Sequence, residues 1–117
     1  MHDFRELSVW HESRALGSDI YLTCAAITRP ESRFVTSQLR RSALSIATNI
    51  AEGCGKSSRA ETIRFLEIAA GSAAETEHHL SVALETGIML GVDAGAYLAR
   101  IASVRRMLFA LIKRLPQ

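Results

Sequence analysis

Cysteine and proline are scarce in this chain, with two of each among 117 residues, and aromatic side chains make up only 6%. Cys24 and Cys54 match neither a zinc-ligand spacing nor a CxxC redox pair. A metal- or disulfide-stapled fold is therefore not expected, and two free thiols in a reducing cytoplasm are. With Pro116 next to the last residue, Pro30 is the one proline placed to interrupt a helix. The longest unbroken apolar run, Met107–Ile112, falls far short of the ~20 residues that a membrane helix needs. Asp3, Arg5 and Glu6 break the apolar pattern that a secretory signal requires. No stretch alternates with period two for long enough to form a strand. What remains is a cytoplasmic chain, without membrane contact, that must build its core from helices.

Alanine, the strongest helix former, is abundant, and 48% of the residues are hydrophobic, enough for a single core in residues 1–117. Val9, Leu16, Ile20, Cys24 and Ile27 define a first apolar stripe at helical spacing, with Ser8 as the expected cap. Val35, Leu39, Ala43, Ile46 and Ile50 define a second, halted by Gly53 and Gly55. Ser58 and Glu61 form an S-x-x-E capping box ahead of Ile63, Leu66, Ala70, Ala73, Glu77, Leu80 and Leu84. Gly87 and Gly91 end that third helix, and Asp93 is the expected cap of a fourth. There Tyr97, Ile101, Val104, Leu108, Leu111 and Leu115 step by fours and threes. Short connections make successive helices antiparallel neighbours, so the expected fold is an all-α, antiparallel up-and-down four-helix bundle.

Net charge is +2, unevenly distributed. Residues 1–28 carry −2, 29–59 carry +4, 60–93 carry −5 and 94–117 carry +5. Alternating signs favour the sequential arrangement and oppose placing the second helix beside the fourth. The same cations could instead contact phosphates, in which case Arg40, Arg41, Lys56, Arg59, Arg105 and Arg106 are the candidates and RNA or DNA the partner.

Sites for chemistry are sparse. Gly53-Cys54-Gly55-Lys56-Ser57 imitates the end of a phosphate-binding loop, but its first glycine would fall at Ile50 and the segment follows a helix. Glu75 and His78 have the E-x-x-H spacing of a di-iron bundle, yet the chain has no second such pair. His2 and His11 are expected to be exposed, and no nucleophile signature is present. No cofactor or metal and no enzymatic activity are expected. Asn49 and Glu52 lie beside the second apolar stripe and call for partners. A polar network with Arg40, Arg41, Ser45 and Arg64 is the structural reading, and a ligand site the alternative.

The run Ser37–Gly53, SQLRRSALSIATNIAEG, resembles the signature of the four-helix-bundle family encoded in intervening sequences of bacterial large-subunit ribosomal RNA genes. Gly55, Lys56, Ser58 and Glu61 continue the match, as do LSVWHESRAL at Leu7–Leu16 and FLEIAAGSAAE at Phe65–Glu75. Ala47 departs from the family's proline, and Thr86–Leu90 is a loose form of its L-G-Y-L turn. The resemblance implies an antiparallel four-helix bundle whose members form closed rings, commonly pentamers. Accessory proteins of diversity-generating retroelements are similar bundles, which carries the nucleic-acid alternative by analogy alone. A second apolar line fits self-association: Trp10 and Tyr21, Leu44 and Ala47, then Leu98, Ala102, Phe109 and Ile112. The leading expectation is a non-catalytic homo-oligomer.

Overall fold

The structure, a computed structural model, describes residues 3–115, so His2 and Pro116 lie outside the described residues. Four helices follow one another: α1 Ser8–Ala25, α2 Arg33–Cys54, α3 Arg59–Glu85 and α4 Gly91–Arg114. Short 3-10 turns at Phe4–Glu6 and Pro30–Ser32 precede α1 and α2. Pro30 opens its turn, where a missing N–H leaves no bond unmade. Among the described residues there is no strand.

Several helix ends differ from the sequence expectation. Leu7, not Ser8, precedes α1 and offers no side-chain cap. Asp3 instead caps the upstream turn, accepting from the Arg5 N–H at 3.0 Å. Half of the expected capping box forms. Ser58 Oγ accepts from the Glu61 N–H at 3.2 Å, while the Glu61 carboxylate turns to Arg64 at 3.3 Å. α2 runs through Gly53, and Gly55 beyond it has a right-handed φ of −83°. Among the described residues, only the α3–α4 turn uses left-handed backbone, at Gly87 with φ +72°. Gly91 begins α4 rather than ending α3, and Asp93 sits in the first turn rather than at the cap. Its carboxylate still lies near the positive end of the helix dipole.

Inter-helix contacts step in opposite senses along neighbouring helices. Ser45 meets Ser72 and Ser42 meets Thr76 between α2 and α3. Thr23 meets Tyr97 and Asp19 meets Arg100 between α1 and α4. No Cα atom of α2 comes within 8 Å of one in α4, and the same holds for α1 and α3, so these are the diagonal pairs. The chain is therefore a sequential antiparallel bundle, 45 × 20 × 19 Å. Charge alternation appears in its cross-links: Arg100 on α4 pairs with Asp19 on α1 at 2.8 Å, and Arg105 on α4 pairs with Glu77 on α3.

The core holds Leu16 and Ile20 from α1, Leu39, Ile46 and Ile50 from α2, Leu66 and Leu80 from α3, and Ile101, Val104 and Leu108 from α4. The expected stripes of α1, α2 and α4 are buried along most of their length, with Ile27, Val35, Tyr97 and Leu115 half-buried at their ends. α3 differs: Ala69, Thr76 and Ala83 are buried, Ala70 and Glu77 only half so, and Leu84 is 42% exposed. Leu66, Ala73 and Leu80 are buried as expected, but at the other positions the inward face lies one residue earlier, where Thr62 and Thr76 pack toward α2. Two glycines set the closest approaches. A Cβ at Gly17 would lie 3.1 Å from the Ala43 carbonyl oxygen, and one at Gly53 3.1 Å from Phe65 Cβ and 3.2 Å from the Thr62 carbonyl oxygen.

Candidate functional site

Close contact of α1 and α2 at Gly17 leaves a groove on the outer side of the pair. Its volume is about 570 Å³, and Phe4, Trp10, Leu44, Ala47 and Ala51 form its apolar walls. Arg14 and Glu52 stand at its edge. Trp10 is half-buried, its ring 4.8 Å from Phe4, with the Arg14 guanidinium 5.5 Å above it. Tyr21 (44% exposed) and Leu44 (43%) extend this face along the bundle. Phe109, 53% exposed, lies on α4, the helix diagonal to α2. Leu98 and Ile112, expected on the same outer line, are half-buried and pack on the core. They widen the core rather than present an outer surface.

A seam of hydroxyl groups joins α2 to α3. Asn49 Nδ2 donates to the Ser45 carbonyl at 2.8 Å and to Ser45 Oγ at 3.0 Å. Ser45 Oγ lies 2.7 Å from Ser72 Oγ. Thr76 Oγ1 sits 2.8 Å from the Ser72 carbonyl and 3.0 Å from Ser42 Oγ, so its one proton serves either acceptor. Farther along, Thr62 Oγ1 reaches the Gly53 carbonyl at 2.9 Å. Of the polar residues expected to cluster, only Ser45 and Asn49 come together. Arg40 stacks over Tyr21 at 5.5 Å, Arg41 and Glu52 are exposed, and Arg64 pairs with Glu61 and covers Phe65. Charged groups stay outward because short hydroxyls satisfy one another without the cost of desolvating an ion. Ser42, Ser72 and Thr76 escaped a reading that followed apolar residues alone. The three- and four-residue steps Ser42–Ser45–Asn49 on α2 and Ser72–Thr76 on α3 were the available signal.

The six cations considered for phosphate contact do not make one surface within a single copy. Arg40 and Arg41 lie along α2, Lys56 and Arg59 flank the α2–α3 turn, and Arg105 and Arg106 are on α4, the helix diagonal to α2. Arg105 is committed to Glu77, and Lys56 Nζ rests 4.9 Å from the Phe65 ring centre. The loop-like Gly53–Ser57 segment is the end of α2 followed by the approach to α3. Glu75 contacts His79 at 3.5 Å, one residue beyond the expected His78, which is exposed. Among the described residues, no further His, Cys, Asp or Glu joins them as a group able to hold a metal. Burial raises the Cys24 thiol to about 11, against a smaller opposing pull from Arg40, and raises Cys54 as well. No helix among the described residues is long and apolar enough to cross a membrane.

These features define an all-α four-helix-bundle protein with one seam of buried hydroxyls and an open apolar face on α1 and α2. The chain matches the family model described as 23S rRNA-intervening sequence protein over residues 5–110, and it belongs to that family. It is similar to a protein of unknown function from the S23 ribosomal protein family of Bacteroides thetaiotaomicron VPI-5482, whose crystal structure was determined at 1.70 Å. The two are 26% identical and superpose with a TM-score of 0.84, over 90% of this chain and 98% of that one. No curated protein matches the chain.

Proposed function

We propose that this chain is a non-catalytic building block of a closed homo-oligomeric ring, with five copies the favoured number. The α1–α2 groove carries the reading: an apolar face with Tyr21 and Leu44 each more than two-fifths exposed is what another protein surface covers. A ring of head-to-tail contacts needs two different patches on one subunit. The groove supplies one, and the exposed Phe109 on α4, the helix diagonal to α2, supplies the other. Five is the ring size that the motif resemblance implies.

Native mass spectrometry tests the reading directly. The expected species is five times the 12.8 kDa chain mass, and Leu44→Glu shifts the population to the single chain. A 12.8 kDa species alone, persisting at tens of micromolar, overturns it.

A further inference from the structure

The four most exposed large apolar side chains among the described residues all stand at one end of the bundle. Leu22 lies in the last turn of α1, Phe34 in the first turn of α2, Val92 in the first turn of α4 and Leu90 just before it, each between 66% and 76% exposed. Antiparallel packing brings these positions to the end that carries the α1–α2 and α3–α4 turns. Side-chain bonds tilt toward a helix N-terminus, so Phe34 and Val92 lean outward past the bundle end. The opposite end exposes Arg5, Glu6, Arg59, Lys113 and Arg114 instead. A single exposed leucine is ordinary; four large apolar groups gathered at one end mark a surface that another protein covers.

Beside these side chains the two turns enclose a hollow of about 540 Å³. Ala26, Ile27, Ile88, Met89 and Leu90 line it with apolar surface, and Thr23, Arg29 and Asp93 add polar groups. Arg29 donates to the Gly87 carbonyl at 3.4 Å and so ties one turn to the other. Val92, between the lining residues Leu90 and Asp93 in the chain, stands as a knob at the edge. A knob and a hollow side by side are self-complementary, because a two-fold axis between two copies sets the knob of each against the hollow of the other. Charge points to the same partner. Arg29 and Arg33 share this end with Glu31, Glu85 and Asp93, and among the described residues none of the five belongs to an ion pair. Three acids oppose a nucleic acid or an anionic membrane. A second copy brings the same mixture, so the cations of one can face the acids of the other.

We propose that this apolar end is an isologous docking surface for the same end of a second copy. Its cross-section, 20 × 19 Å between Cα atoms, is on the order of 400 Å², about half of what one partner buries in a stable pair. One pair of ends is therefore weak alone, and a ring that presents several ends on one face multiplies it. The α1–α2 groove and Phe109 lie on the sides of the rod, toward its opposite end, so ring closure through them leaves this end free. The doubling of a ring rests on the ring reading above; the contact between two ends does not.

Sedimentation velocity from ten to five hundred micromolar tests the proposal. The wild-type chain should show its ring and, growing with concentration, a species of twice that mass. Val92→Glu, at an exposed site in the first turn of α4, should keep the ring and lose the doubled species, with circular dichroism confirming the fold. Ile68→Glu, at an exposed apolar site on α3 away from this end, should keep both. Leu44→Glu, which opens the ring, should leave single chains that pair at least tenfold more weakly than rings do. A ring mass that never doubles, or a doubling that survives Val92→Glu, overturns the end contact and leaves the ring reading standing. Equal loss of the doubling in Ile68→Glu, with its ring intact, does the same. A two-copy species that Val92→Glu dissociates upholds the end contact and overturns the ring. Single chains throughout overturn both.

Discussion

Glycine substitutions offer a quantitative test of how tightly α2 and α3 are pressed together. Gly71 lies within α3 with nothing within 4 Å of the position a Cβ would take. Alanine there should add about 1 kcal/mol, the usual helical difference between the two residues. Gly53 is also helical, so the same gain applies, but its new methyl would meet Phe65 Cβ at 3.1 Å and the Thr62 carbonyl oxygen at 3.2 Å. Both obstacles belong to the first turns of α3, and Thr62 also hydrogen-bonds the Gly53 carbonyl, so relief requires moving helix against helix. Overpacking of this kind costs about 1–3 kcal/mol, which outweighs the propensity gain. Gly53→Ala should therefore be destabilised by about 1 kcal/mol and separated from Gly71→Ala by about 2 kcal/mol. For a chain of this length that separation corresponds to roughly 8 °C in Tm, measurable by thermal unfolding followed at 222 nm. If Gly53→Ala gains as much as Gly71→Ala, the close approach of α2 and α3 is wrong.

Other outcomes follow from the same contacts. Leu66→Ala, at a fully buried position, should cost about 2–5 kcal/mol in urea unfolding. Ser45→Ala removes one partner from both Asn49 and Ser72 and should cost about 1 kcal/mol, whereas Thr48→Ala, on the exposed side of α2, should cost less than about 0.5 kcal/mol. The Cys24 thiol, raised to about 11 by burial, should react with iodoacetamide far more slowly than a free thiol at pH 8, and denaturant should abolish the difference. Its folded state retains the proton longer than the unfolded state does. Its contribution to stability is thus complete below the unfolded thiol value and falls as pH rises from there toward 11, visible as a declining urea midpoint that Cys24→Ala should flatten.

Much of the bundle was legible because apolar spacing and charge point the same way. Leu39, Ile46, Ile101 and Leu108 are buried where their three- and four-residue steps placed them. Helix ends were less legible. Ser8 and Asp93 have capping side chains but fall inside their helices, because Leu7 and Leu90 occupy the cap positions. On α3, Leu66, Ala73 and Leu80 are buried as expected, but Ile63, Ala70, Glu77 and Leu84 each lie one residue beyond the buried position, since the contacts with α2 also run through Thr62, Ser72 and Thr76, which a hydropathy stripe passes over. The polar cluster failed at its charged members for a related reason: arginine and glutamate side chains are long enough to reach solvent, and Ser45 and Asn49 are not.

Trp10, the single tryptophan, lines the α1–α2 groove and reports on whether another copy covers it. Its emission maximum and acrylamide quenching should be followed from one hundred micromolar down to ten nanomolar. An emission shift to the red with rising quenching on dilution, absent in Leu44→Glu, is the predicted result. Emission and quenching that stay constant across the whole range would contradict self-association through this face.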